Sequence, residues 1–162
     1  MDFLYDLHPI QIVAETIFVS FFGMSIGGII TEGIKKHGVI EEYANLKFIK
    51  NDKVNDWIGL NIIKWFVTKT FWKHLNKNIT FTNASGPERL KAVRFEMTKA
   101  EIGHLIAFII HASCIITLII VKANPQLIIW VSLANLFLNF YPTLLQQRNK
   151  ARIDRILNRQ VI

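Results

Sequence analysis

The architecture of this chain is set by the stretch Ile102–Gln147, IGHLIAFIIHASCIITLIIVKANPQLIIWVSLANLFLNFYPTLLQQ. From Ile102 to Val121 there are 20 residues without Asp, Glu, Lys or Arg, and from Ala123 to Gln147 there are 25. At 1.5 Å of rise per residue, each run is long enough to cross a hydrocarbon layer of about 30 Å as a helix. Only Lys122, Asn124 and Pro125 break the stretch, so it reads as a membrane-spanning hairpin with a tight turn at Ala123-Asn124-Pro125-Gln126. A third run, Ile10 to Ile34, carries Glu15 and Glu32 with 16 uncharged residues between them. It spans if Glu15 finds a partner or lies near the boundary. Gly23, Gly27 and Gly28, at spacings of four and five, would let a neighbouring backbone come close. They fit equally well the general tolerance of membrane helices for glycine.

Outside these runs the chain is basic. Of its 162 residues 51% are hydrophobic, yet 19 Lys and Arg face 12 Asp and Glu, for a net charge of +7. Eight Gly, four Pro and a single cysteine, Cys114, exclude a disordered chain, a collagen-like repeat and a disulfide scaffold. Thirteen basic residues lie between Lys35 and Lys99, one is Lys122, and five (Arg148, Lys150, Arg152, Arg155, Arg159) follow the last apolar run. The positive-inside rule then puts residues 35–100 and the C-terminus on the cytoplasmic side and Lys122 outside. Basic side chains so placed suit anionic lipid headgroups, which argues against a nucleic-acid partner. The segment Met1 to Pro9 has Asp2 and Asp6 but no Lys or Arg, so it lacks the basic start of a secretory signal and the first helix is expected to be retained.

The stretch Trp57–Leu75 is interrupted by Lys64, Lys69 and Lys73 and holds Trp57, Trp65 and Trp72, a mixture suited to a helix in the headgroup region or packed beneath a cytoplasmic subdomain. Asn76 to Pro87 reads as a loop, in which the sequon Asn78-Ile79-Thr80 has no meaning on a cytoplasmic side, and Glu88 opens a helical pattern that runs into the Ile102 span. The expected fold is an all-α integral membrane protein. Residues 1–162 form one membrane domain, with transmembrane helices at 10–34, 102–121 and 126–147, a cytoplasmic or interfacial helical region at 35–100 and a basic tail at 148–162.

Polar residues inside apolar helices are the informative ones, because each costs free energy in lipid unless it faces protein, water or substrate. Arg94, Glu101, His104 and His111 are spaced by seven, three and seven, which puts them on one helical face. Glu101 and His104 stand one turn apart, close enough for the carboxylate to orient or charge the imidazole. A histidine so held can take a proton from a hydroxyl, as acyl transfer to an alcohol requires. The same spacing also makes an ordinary surface ion pair beside a solvated histidine. Glu-x-x-His is half of a di-iron motif as well, but it occurs once where such bundles need it twice, so no metal site is expected. His111 reads as a buried structural histidine. Asn135 and Asn139 share a face with Pro142, a pattern that usually bonds a neighbouring helix. The following Gln146, Gln147, Arg148, Asn149 and Arg152 could hold a phosphate or sugar hydroxyl, or simply end the span. Nucleophile elbows, phosphate loops and dinucleotide fingerprints are missing, and Cys114 lies in mid-span, where a thiolate is disfavoured.

Two of these clusters resemble the small bacterial membrane acyltransferases typified by glycosyl-4,4'-diaponeurosporenoate acyltransferase. Glu96, Lys99, Ala100, Glu101 and His104 are similar to that family's Glu-x-x-Arg-Ala-Glu-x-x-His. Asn139, Pro142, Gln146, Asn149, Lys150 and Arg152 follow the order of its C-terminal pattern. Gln147 and Arg148 stand where the pattern has Arg and Tyr, Lys99 and Lys150 replace arginines, and Leu105 replaces a Trp. The resemblance implies transfer of a fatty acyl group from a thioester co-substrate, with no bound cofactor, to a hydroxyl of a glycolipid or carotenoid glycoside. It places the protein in the bacterial inner membrane, multi-pass, working at the cytoplasmic leaflet on a lipid-like or glycosylated acceptor. His104 would be the general base and Glu101 its orienting partner. Arg94, Asn135, Asn139, Gln146, Asn149 and Arg152 are the candidate substrate-binding residues. The alternative is a non-catalytic membrane subunit, assembly factor or lipid-binding protein, in which these side chains are spent on one another.

Overall fold

The computed structural model describes residues 7–38, 40, 46–49, 51–69 and 86–159. Trp72, the end of the Trp57–Leu75 stretch, the Asn78 sequon, most of the 76–87 loop and Met1–Asp6 lie outside them. The described residues form α1 (Pro9–Lys36), α2 (Asp52–Trp57), α3 (Leu60–Lys69), α4 (Pro87–Ile120), α5 (Pro125–Asn135), a π-helical turn (Leu136–Phe140) and α6 (Tyr141–Arg159). The fold is all-α, and three helices are long and apolar enough to cross a membrane: α1, α4, and the continuous run from α5 through α6. They fall into two compact units. Unit 1 comprises the described residues of Met1–Ile34 and Ile102–Pro142; unit 2 comprises those of Lys35–Glu101 and Thr143–Ile162.

In unit 1, α1 begins at Pro9, whose missing N–H costs nothing at a first helical position. The Gln11 side chain reaches back to accept from the His8 backbone N–H at 2.8 Å, half of a capping box. At the other end Gly38, at φ 71°, donates its N–H to the Lys35 carbonyl, a left-handed stop that lacks a Cβ penalty. The buried residues of α1 are Ile12, Ser20, Gly23, Gly27 and Thr31, a narrow stripe of mostly small side chains. Its exposed positions include Ile10, Phe18, Phe21 and Ile29, each more than 60% accessible. Apolar surface on that scale faces hydrocarbon rather than water. Hydroxyls on these helices close on their own backbone: Thr16, Ser20, Thr31 and Ser132 each donate to the carbonyl four residues earlier at 2.7 Å.

Small residues decide how α1 meets α4. A Cβ on Gly27 would fall 2.5 Å from the Gly103 carbonyl oxygen, and one on Gly23 would fall 2.3 Å from the His111 ring. A Cβ on Gly28 would meet nothing within 4 Å. The spacing of four is therefore the packing seam, answered on α4 by Gly103, Ala107 and His111, also four apart. A second apolar cluster, Leu7, Ile12, Leu127 and Val131 with Val19, Ile115 and Leu118, ties α5 into the unit.

The hairpin turn forms where it was expected. Ala123 donates to the Leu118 carbonyl and Lys122 to that of Ile119, the two bonds of a Schellman motif, with Lys122 at φ 53° in the position glycine usually takes. Asn124 then caps α5 by accepting from the Gln126 N–H at 2.9 Å, with Pro125 at the first helical position. Pro142 does not end the last helix. The chain widens into a π-turn over Leu136–Phe140, where the Tyr141 N–H bonds the Leu136 carbonyl, and continues helically to Arg159.

Unit 2 packs Leu90, Val93 and Met97 of α4 against Ile153, Ile156 and Leu157 of α6. The segment read as a basic tail is thus a helix with one apolar stripe. The Trp-rich stretch is broken after Trp57 by Ile58 and Gly59, the latter at φ 81°. In α3 Leu60 is fully buried, while Ile62, Trp65 and Phe66 are exposed, as is Trp57 before the break.

Substitution Gly27→Ala should lower stability by about 1–3 kcal/mol through overpacking against a backbone carbonyl. Gly28→Ala should raise it by about 0.5–1 kcal/mol, the usual gain of Ala over Gly inside a helix. Unfolding of the two variants in the same detergent checks the pair, and equal midpoints would disprove the seam.

Candidate active site

Unit 1 gathers polar side chains from α4 and the α5–π segment. Asn135, buried, donates its side-chain N–H to the Phe108 carbonyl at 3.2 Å, and Asn139 donates to the Asn135 amide oxygen at 2.9 Å. The two asparagines therefore tie the last helix to α4, as their spacing suggested. Phe108 also meets Phe140 ring to ring at 5.7 Å, which holds the π-turn against α4.

The half-buried His104 lies beside the side chain of Asn139 and the backbone of Leu138. The Asn139 NH2 donates to Asn135 at 2.9 Å and also meets His111 Nδ1 at 3.4 Å. An imidazole that donates from one nitrogen keeps a lone pair on the other, the form a general base requires. His111 is fully buried. Its Nδ1 donates to the Ala107 carbonyl at 2.7 Å, its Nε2 has no partner among the described residues, and its ring lies against Gly23.

Unit 2 holds a second cluster. Glu101 is completely buried, and its carboxylate forms an ion pair with Lys150, itself 3% exposed, and accepts from Gln147 Nε2 at 2.8 Å. Gln147 in turn accepts the Phe48 backbone N–H at 2.9 Å, which anchors the segment before α2. The partners shown for Glu101 are thus Lys150 and Gln147 of α6. A fully buried carboxylate needs a cation and several donors, and Lys150 and Gln147 supply them.

The remaining candidates divide as follows. Arg94 forms a two-pronged pair with Asp154, at 2.5 and 3.2 Å, so its guanidinium joins α4 to α6. Glu96 pairs with Lys99 at 3.5 Å. Arg148 joins Asp56 and Asn61, tying α6 to the short helices. Gln146 is buried with an amide oxygen that finds no partner among the described residues, Asn149 is half-buried, and Arg152 is exposed. Gln147 reads by sequence only as one of a cluster that could hold a phosphate or sugar hydroxyl, and Lys150 only as a substituted position of the family pattern. Both fall on the stripe Thr143, Gln147, Lys150, Ile153, whose spacing of three and four marks the buried face of α6, and that periodicity was the available signal.

The sequence model of the family described as glycosyl-4,4'-diaponeurosporenoate acyltransferase matches residues 39–159. No curated protein sequence and no solved structure gives a significant match.

Lys150→Met strands a buried carboxylate and should cost about 3–5 kcal/mol of stability, whereas the double variant Glu101→Leu, Lys150→Met should recover most of it. Unfolding curves of the parent, both single variants and the double variant form the cycle. A double variant no more stable than Lys150→Met would refute a stabilising ion pair.

Proposed function

Because the chain belongs to the glycosyl-4,4'-diaponeurosporenoate acyltransferase family, we propose that it is a membrane acyltransferase. It moves a fatty acyl group from a thioester donor to a hydroxyl of a glycolipid or carotenoid glycoside. The observation that carries the reading is His104: a half-buried imidazole on an apolar helix, beside Asn139 and Leu138, in the Glu101-x-x-His104 motif of a chain whose residues 39–159 match the family. An imidazole so placed can take a proton from a hydroxyl.

The chemistry is an acyl transfer. The free imidazole nitrogen takes the proton of the acceptor hydroxyl as its oxygen attacks the thioester carbonyl. The tetrahedral oxyanion collapses, the carbon–sulfur bond breaks, and the departing thiolate recovers the proton from the imidazolium. The products are an ester and a free thiol, and the base is regenerated. Exposed apolar faces of α1 and α4 give acyl chains and a polyene a route from the bilayer. The inner membrane of a bacterium, with the active face toward the cytoplasm, is the setting that charge placement and family membership favour.

A non-catalytic membrane subunit is the second reading. It is favoured by the mutual pairing of Glu101 with Lys150 and of Arg94 with Asp154, which leaves those groups spent on one another.

The test is lipid and pigment profiling of cells carrying the intact gene, the deleted gene or His104→Ala, alongside transfer assays with purified protein. His104→Ala should lose about 10²–10⁴-fold in turnover while remaining folded, and the acylated glycolipid should vanish from the profile. A folded His104→Ala protein that transfers acyl chains as fast as the parent would sink the enzymatic reading.

A further inference from the structure

Unit 2 carries an exposed apolar surface on the elbow between α2 and α3. Gly59, at φ 81°, makes the bend, and a closed set of polar contacts holds it. Arg148 of α6 pairs with Asp56 Oδ1 at 3.0 Å and donates to Asn61 Oδ1 at 2.9 Å, while Asn61 Nδ2 donates to Asp56 Oδ1 at 2.8 Å. Beyond this clamp α3 has two faces. At 100° per residue Leu60, Ile63 and Val67 fall on one side, where Leu60 is fully buried. Ile62, Trp65 and Phe66 fall on the other, with Lys69 between the last two on the helical wheel. Trp57, just before the bend, is 87% exposed, Ile62 70% and Trp65 61%. Large apolar side chains gathered at such exposure mark a contact surface.

Connectivity and charge identify what covers it. The chain enters or leaves unit 2 at Lys35, Glu101 and Thr143, each the continuation of a helix long and apolar enough to span. A leaflet surface is therefore the partner that the covalent chain brings to this unit, and the positive-inside rule makes it the anionic cytoplasmic one. The elbow suits that charge. Its α3 has two lysines, Lys64 and Lys69, both exposed, and no carboxylate, and Asp56 of α2 is engaged by Arg148. Lys69, set among the rings, would lose its hydration in a dry protein interface, whereas at a headgroup layer its ammonium reaches phosphate while the rings rest at the hydrocarbon boundary.

We propose that the α2–α3 elbow docks on the anionic headgroup layer, with Trp57, Ile62, Trp65 and Phe66 at the hydrocarbon boundary and Lys69 on lipid phosphate. Of the two settings that the composition of the Trp-rich stretch allows, a lipid surface and a soluble subdomain, this selects the first. The docking gives unit 2 a hold on the bilayer of its own, independent of whether the chain transfers acyl groups.

The experiment uses the full-length protein in nanodiscs with Trp65 as the single tryptophan, Phe replacing Trp57, Trp72 and Trp130. The discs are phosphatidylcholine alone or mixed with phosphatidylglycerol, and the phosphatidylcholine is brominated either near the carboxyl end or near the methyl end of its chains. In the anionic discs Trp65 emission should be quenched at least about twofold more by the shallow bromines than by the deep ones. Shallow quenching should fall by about half in phosphatidylcholine alone and in Lys69→Glu, while Lys64→Glu, altered beside Leu60 on the wheel, should stay near the parent. Should the triple replacement unfold, the parent labelled with 5-fluorotryptophan, its Trp65 resonance assigned by loss in Trp65→Phe, answers the same question through broadening by a headgroup spin label. Absent quenching or broadening, quenching stronger from the deep bromines, or a signal indifferent to lipid charge and to Lys69→Glu overturns the proposal. So does a Trp65 shielded from aqueous acrylamide yet blind to brominated lipid, which would assign the face to a second copy or another protein.

Discussion

A polar atom carried on an apolar helix has no water to bond, so it must be satisfied by protein, and this requirement organises both units. In unit 2 it draws Lys150 and Gln147 onto the buried Glu101 carboxylate. In unit 1 it draws Asn135 to the Phe108 carbonyl and Asn139 to Asn135. The hydroxyls of Thr16, Ser20, Thr31 and Ser132 meet the same requirement locally, by folding back onto their own helix. Each unmade bond of this kind would cost about 1–3 kcal/mol, a large share of the stability of any small domain.

Close packing is the second condition. Without a hydrophobic force between helices in lipid, α1 and α4 attract through contact alone, and contact requires that nothing project between them. Gly23 and Gly27 meet that requirement, and each accommodates a different neighbour: the His111 ring in one case, the Gly103 carbonyl in the other. The result inverts the soluble pattern. Small and polar residues turn inward, while Phe18, Phe21 and Ile29 turn outward to lipid.

The two histidines of α4 illustrate how one helix can carry different chemistry at two depths. His111 bonds to its own backbone at Ala107 and is enclosed, an arrangement that stabilises packing. His104 is half-buried beside Asn139 and Leu138 of the last span.

The three apolar helices, the turn at Lys122–Asn124 and the resemblance to membrane acyltransferases were legible in the amino-acid order. They depend on run length, capping chemistry and spacing, which are local properties of a chain. The tertiary structure alone decided who bonds whom. Spacing placed Glu101 one turn from His104, but a lysine and a glutamine from a helix some 46 residues downstream took the carboxylate. Spacing offered Gly27 and Gly28 equally, and only the approach of Gly103 chose between them. Pro142 was visible in the sequence, while the π-turn over Leu136–Phe140 that precedes it appears only in the structure. Helical periodicity assigns a residue to a face, whereas the partner on that face is set by which other helix packs there, and that information is distributed over the whole chain.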